Sequence, residues 1–332
     1  VSAAQGTSGS GGTPEASRGT VVHDGEYGLP YSKGLTANTV VASGLSPVRA
    51  YRIAEVVEER LRALGRSDIE AEELRRITIE VIREEAGDRY ADAYRKWVFA
   101  SSLDVPLIIL IGGGTGAGKS TIATQLAARL GIVRVISTDA VREVMKSVFS
   151  YEFMPFLHVS SFDAGHVARG KGARADEAIL SGFRDQVAAV SVGVKALVDR
   201  AVREGTDVIV EGAHLAPGFI DFTEFLGSAV VVPLVLQVED ESLHRSHFHM
   251  RAQETRARPV ERYLAHFENI RKIQKYIKSL ALQNGVPIIS NYNLDACLAS
   301  VIDHVVNRAV EAAGAGAQDQ GDPAIAIRGG SE

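Results

Sequence analysis

The run Gly113-Gly114-Thr115-Gly116-Ala117-Gly118-Lys119-Ser120 narrows the choice of fold more than any other feature, because it fits G-x-x-x-x-G-K-S without a mismatch. The apolar stretch Leu107–Ile111 precedes it and a helical pattern from Ser120 to about Leu130 follows. A strand that passes through glycines into a helix turns successive backbone N–H groups inward, where they close on a phosphate. The helix N-terminus adds partial positive charge at the same point. The loop, with Thr121 beside it, is expected to bind a nucleotide. Lys119 would reach the β- and γ-phosphates and the Ser120 hydroxyl would ligate Mg²⁺. A dinucleotide fingerprint leaves the Lys-Ser pair without a role, so ATP or GTP is the expected ligand.

Further short apolar runs at Val133–Ser137, Asp207–Val210, Val230–Val238 and Val286–Ser290 alternate with helical patterns such as Ile179, Phe183, Val187, Val190, Val194 and Leu197. This alternation predicts an α/β fold with a doubly wound, mainly parallel five-stranded sheet spanning 104–310. Ahead of it, 21–98 reads as a small, mainly helical unit. Val21-Val22 and a His-Asp-Gly turn suggest a hairpin. Tyr51, Ala54, Val57, Leu61 and Leu64 form one helical stripe that Gly65 ends; Leu74, Ile77 and Val81 form a second, and Tyr90, Tyr94 and Trp97 a third, read as packing. Residues 1–20 and 311–332 are rich in Gly, Ser and Ala and are expected to be disordered.

In a sheet of this kind ligands sit beyond the carboxyl ends of the strands, which singles out two acids. Asp139, after the second strand, would face the phosphate loop and accept a proton from an acceptor hydroxyl, with Arg142 one helical turn on to hold an anionic substrate. Thr138 or Asp139 could instead simply cap the following helix. Glu211 ends the third strand, placed to hold Mg²⁺ through water. His214, three residues on, would contact substrate or complete the hydrogen bonds of its loop. Beyond the fourth strand, Arg245, Arg251, Arg256, Arg258 and Arg262 fall within 18 residues and could neutralise transferring phosphates, or form a solvated helix face. His244, His247 and His249 lie among them without the carboxylate or Cys pattern of a metal site.

The net charge of −5 gives no general attraction to nucleic acid or anionic lipid, and neither is expected as a partner. Cys297 is the single cysteine, which excludes an internal disulfide. No stretch has the ~18 apolar residues of a membrane span, and no signal-peptide core opens the sequence, so a cytoplasmic location is expected.

Six segments together resemble the 2-phosphoglycerate kinases: the GGGTGAGKSTIA loop, STDAVREVM, MPFLHVSSFDA, IVEGAHLAPG, ERYLAHFENIRKIQKYI and GVPIISN, in that order across 104–310. The first unit resembles an ATP-cone, through His23-Asp24-Gly25 and Pro30-Tyr31-Ser32-Lys33-Gly34, although His23 stands where Lys or Arg is usual. The resemblance implies transfer of the ATP γ-phosphoryl to the 3-hydroxyl of 2-phosphoglycerate, giving 2,3-bisphosphoglycerate. It further implies a positive acceptor pocket of Arg142, His158, Ser160 and Ser161, with His214 as a further substrate candidate. Asp139 would be the base, with Lys119, Mg²⁺ and an arginine such as Arg251 supporting the transition state. The partner implied is a phosphorylated small-molecule acid; homo-oligomerisation stays open. So do a kinase of a mevalonate or inositol phosphate and a nucleotide-sensing regulator.

Overall fold

The computed structural model describes residues 20–167, 175–254 and 260–319. Among them the chain begins with a hairpin, β1 (Val21–Asp24) and β2 (Tyr27–Pro30), turning at Gly25 with φ 60°. Four helices follow, α1 (Lys33–Val41), α2 (Pro47–Leu64), α3 (Ala71–Ala86) and α4 (Asp88–Ser101), with a short strand β3 (Asp68–Glu70) between α2 and α3. The sheet order is β2-β1-β3, β3 running parallel to β1. Ser32 and Ser46 cap α1 and α2 through the amides of Leu35 and Arg49, and Gly65 ends α2 in the left-handed region at φ 64°.

The sequence reading lacks α1 and β3, whose signals are weak: α1 has no clean apolar stripe, and β3 is a single buried Ile69 between two exposed acids. The α2 stripe also needs correction at its ends. Tyr51 and Leu64 are nearly half exposed, while Ile53, Ala54, Val57 and Leu61 face the core. Of the aromatic stripe, Tyr94 packs with Val40, Val57 and Val81, but Trp97 packs with helices of the second unit.

That second unit is built on β4 (Leu107–Gly113), β5 (Val135–Ser137), β6 (Val208–Glu211), β7 (Val230–Gln237) and β8 (Ile288–Ser290), in the order β5-β6-β4-β7-β8 with every pair parallel. Its helices are α5 (Lys119–Leu130), α6 (Thr138–Val148), α7 (Ala175–Arg203), α8 (Glu241–Glu254), α9 (Val260–Ala265), α10 (Phe267–Gln283) and α11 (Leu294–Asp319). Ile109 and Ile111 of β4 point to one face, against Leu126 of α5 and Val301 and Val305 of α11; Ala42 and Trp97 join this cluster from the first unit. Ile108 and Leu110 point to the other, against Val190, Val194 and Val198 of α7. Burial on both faces explains why the strands read as unbroken apolar runs. α11 continues to Asp319, past residue 311 where the sequence suggests disorder, since the alanine-rich stretch there favours helix. No helix among the described residues is long and apolar enough to cross a membrane.

Candidate active site

Parallel register brings three strand ends together. Ile111 of β4 and Ser137 of β5 both lie opposite Glu211 of β6, so the phosphate loop, Glu211 and the start of α6 share one edge. Gly113 closes β4, Gly114 to Gly118 form the loop, and Lys119, Ser120 and Thr121 make the first turn of α5. Lys119 is buried and donates to the Gly114 carbonyl at 2.8 Å. The Ser120 hydroxyl donates to Glu211 Oε1 at 2.9 Å, although 91 residues separate them. Glu211 is only 6% exposed, and a buried carboxylate beside a neutral hydroxyl suits a hard cation that also takes phosphate oxygens.

Gly212 makes the next approach. A Cβ there, at φ 156°, would fall 1.7 Å from Thr138 Oγ1, so only glycine lets β6 lie this close to α6. Ser137, rather than Thr138 or Asp139, caps α6, accepting from Ala140 N at 3.1 Å. Thr138 is freed for another contact, and Asp139 sits in the first turn with a largely exposed carboxylate 3.7 Å from Arg142 Nε. Arg142 itself is mostly buried and donates to the Leu157 carbonyl, at 2.6 Å, and to Glu143. The guanidinium thus bridges the Asp139 carboxylate and the Leu157 carbonyl, just ahead of His158.

His214 is 1% exposed, and both of its ring nitrogens are engaged in hydrogen bonds within the fold, in keeping with the second of the two roles expected of it. Gln186 of α7 uses its amide N–H groups on the Phe156 and Val159 carbonyls, which leaves its Oε1 to accept from His214 Nε2 at 3.0 Å. Nδ1 must then carry the lone pair and accept from the Thr138 hydroxyl at 2.8 Å. Burial pushes the imidazole down to about 4; the carboxylate of Asp139 opposes that, while Arg142 and Lys119 add to it. All three charged groups are therefore within electrostatic reach of one ring.

The acceptor-pocket candidates separate. Ser160 accepts from Arg262 Nη2 at 3.1 Å, and Arg262 also pairs with Asp163 at 2.8 Å, whose other oxygen lies 3.2 Å from His266 Nδ1. Ser161 is buried. His158 binds the Phe149 carbonyl at 2.9 Å and packs against the edge of Tyr151, so it folds its own segment. Arg251 lies in α8, but its side chain is outside the described residues, as are Arg256 and Arg258. Arg245 stacks 3.7 Å over the Phe267 ring. The sequence reading missed Thr138, Gln186 and Asn291 as site residues, though Thr138 and Asn291 stand inside the quoted segments.

Beside the loop, a cleft of about 480 Å³ opens between Thr121, Leu243, Met250, Tyr292 and Leu294, a size and lining suited to a nucleoside. A cavity of similar volume, about 470 Å³, lies around Pro106, Gly131 and Thr206 at the amino ends of the strands, away from the phosphate loop.

A parallel sheet with a G-x-x-x-x-G-K-S loop, an acid at the neighbouring strand end and an Asp-Arg pair beside it defines a P-loop phosphotransferase. The Zeta toxin family model matches residues 91–152. The 2-phosphoglycerate kinase of Methanothermobacter thermautotrophicus is 37% identical over 294 residues, 88% of this chain and 95% of that one. That of Pyrococcus furiosus is 38% identical over 291 residues, 88% and 94% of the two chains. Shikimate kinase from Acinetobacter baumannii, solved with shikimate, aligns over 63% of this chain and 97% of its own at 18% identity and TM-score 0.36. The chain belongs to the 2-phosphoglycerate kinase family, and it is an ATP-dependent phosphotransferase.

Proposed function

We propose that this protein transfers the γ-phosphoryl group of ATP to the 3-hydroxyl of 2-phosphoglycerate, giving 2,3-bisphosphoglycerate. The observation that carries the reading is the strand register, which sets Glu211 opposite both Ile111 and Ser137, so that the phosphate loop and the α6 start bearing the Asp139–Arg142 pair lie on one edge of the sheet. A donor half-site and an acceptor half-site are thereby adjacent. The loop amides and Lys119 bind the triphosphate. Ser120 and Glu211 supply the hard oxygens for Mg²⁺, whose charge would offset that developing on the phosphates. Asp139 takes the proton from the acceptor hydroxyl at its carboxylate. Arg142, with Ser160 and Ser161, is assigned to the carboxylate and phosphate of the acceptor, and an arginine such as Arg251 to the charge on the transferring group.

We assign this chemistry to 104–310 and an ATP-cone-like role to 21–98, in the cytoplasm. The test is a screen of phosphorylated acids with product identification by mass spectrometry. ATP should be consumed only when 2-phosphoglycerate is present. Lys119→Ala and Asp139→Asn should each reduce kcat by at least ~100-fold with the fold intact. Near-normal turnover by folded Asp139→Asn would remove it as the base.

A further inference from the structure

The phosphate loop is held from outside as well as lined from inside. Four consecutive carbonyls each accept from a side chain: Gly114 from Lys119 at 2.8 Å, Thr115 from His244 Nε2 at 2.8 Å, Gly116 from His247 Nδ1 at 3.0 Å and Ala117 from Asn291 Nδ2 at 3.0 Å. Two of these side chains come from α8 and one from the residue after β8, so the loop is gripped from elements 129 to 174 residues away.

The grip is built with care for donors. His244 is fully buried, boxed by Phe248 and Phe267 with ring centroids at 5.3 and 5.4 Å. Arg271, anchored on the Val238 and Glu239 carbonyls, approaches its Nδ1 at 3.4 Å, so Nε2 carries the hydrogen that reaches Thr115. Asn291 is buried and its backbone N–H extends the β7–β8 pairing to Gln237, which fixes where its amide points. The fit leaves no slack. A Cβ on Gly116 would sit 2.5 Å from the Phe248 ring, and one on Gly118 2.2 Å from Asn291 Nδ2.

We propose that His244, His247 and Asn291 are positioning residues for nucleotide binding, presetting the loop amides through its carbonyls. The peptide unit is planar and trans, so a carbonyl pinned outward turns the next residue's N–H inward. His244 thereby aims the amide of Gly116, and Asn291 that of Gly118. His247 sets the amide of Ala117, which closes the loop on the Gly114 carbonyl at 3.2 Å. A loop ordered in advance pays less conformational entropy when a triphosphate arrives. The proposal rests on the reading of this loop as the triphosphate site.

The experiment compares MgATP affinity, by equilibrium binding, with the KM of each substrate in four variants. His244→Leu keeps the bulk of the ring and removes the donor; His244→Gln restores an N–H at the position of Nε2. Asn291→Asp turns an acceptor toward the Ala117 carbonyl, and Lys119→Ala is the reference for phosphate contact. His244→Leu and Asn291→Asp should each weaken MgATP by about tenfold or more and raise its KM, with the KM for 2-phosphoglycerate within about twofold of wild type. His244→Gln should recover most of the loss. Should His244→Leu fail to fold by near-UV circular dichroism, Asn291→Asp on the far side of the loop gives the same readout. Wild-type MgATP affinity in His244→Leu and Asn291→Asp, against a loss in Lys119→Ala, would overturn the presetting role alone. Equal damage by Leu and Gln at 244 would also overturn it, by showing that packing rather than the donor matters. Undiminished affinity in Lys119→Ala would instead sink the triphosphate reading beneath it.

Discussion

Acidification should unfold this protein partly through His214. Burial pushes its imidazole from the usual 6.5 down to about 4. Above pH 6.5 the ring is neutral whether the chain is folded or not, and it contributes no pH dependence. Between 6.5 and about 4 the unfolded chain takes up a proton that the folded site refuses, so stability falls as pH falls, by ~1.4 kcal/mol per pH unit for one group. The loss at pH 5 is ~2 kcal/mol and approaches ~3 kcal/mol near pH 4, a sizeable fraction of the ~5–15 kcal/mol that holds a typical domain. His214→Gln removes this share while leaving the similar one from His244, also pushed down to about 4 by burial. Guanidinium unfolding of wild type and variant at pH 7, 6 and 5 should give curves whose stability difference shrinks by ~2 kcal/mol across that range. The wild-type imidazole resonance that disappears in His214→Gln should move between pH 7 and 5 by no more than about a tenth of a full protonation shift. A resonance titrating near 6.5, or the same pH dependence in both proteins, would refute the argument.

Three further outcomes follow from the geometry. Glu211→Gln keeps the hydrogen bond to Ser120 available but removes the charge, and should raise the Mg²⁺ concentration needed for half-maximal activity by about tenfold or more; an unchanged Mg²⁺ profile would count against Glu211 as a ligand. Gly212→Ala forces Thr138 away from the β6 end at a strained φ, so thermal melting should shift down by ~1–3 kcal/mol of stability and kcat should fall, whereas a wild-type melt with normal turnover would contradict the close approach. Trp97→Ala opens a hole in the cluster formed with α5 and α11 and should cost ~3–5 kcal/mol in denaturant unfolding followed at the kinase unit; a cost below ~1 kcal/mol would mean the two units do not share that core.

What the sequence discloses and what it hides divide along a physical line. The phosphate loop is legible because its chemistry is local: glycines, lysine and serine fall within eight consecutive residues. The central strands β4, β6 and β7 are legible because burial makes them almost uniformly apolar, and the edge strands β5 and β8, only partly buried, by their short apolar runs alone. Strand order is not, since parallel pairing joins residues as distant as Leu110 and Pro233. The histidines of α8 mislead for a related reason. On the sequence His244 and His247 sit in a basic stretch that reads as a solvated helix face or as arginines neutralising transferring phosphates. In the fold they turn toward the loop, and only the position of the Thr115 and Gly116 carbonyls reveals why they are histidines. His214 likewise reads as a loop residue near substrate, because nothing local reports that α7 covers it with Gln186.

The site also carries a direction that composition alone does not express. A kinase must bring two polyanions together, and Lys119, Arg142 and Arg262 already supply positive charge around the seam. A further buried cation between them, without an anion to meet it, would be costly. A neutral imidazole avoids that cost and passes hydrogen bonds one way: Thr138 to His214, His214 to Gln186, Gln186 to the Phe156 and Val159 carbonyls. Each link fixes the next, because an amide that gives both hydrogens to carbonyls can only accept from the ring, and a ring that donates at Nε2 can only accept at Nδ1. Asp139 follows the first member of this relay, and Ser160 follows its last carbonyl. Asp139, the proposed proton acceptor, and Ser160, 21 residues on in the sequence, are therefore held in register by a chain of bonds with no freedom to reverse. That is a reason for a histidine at 214 that survives even if it never touches substrate.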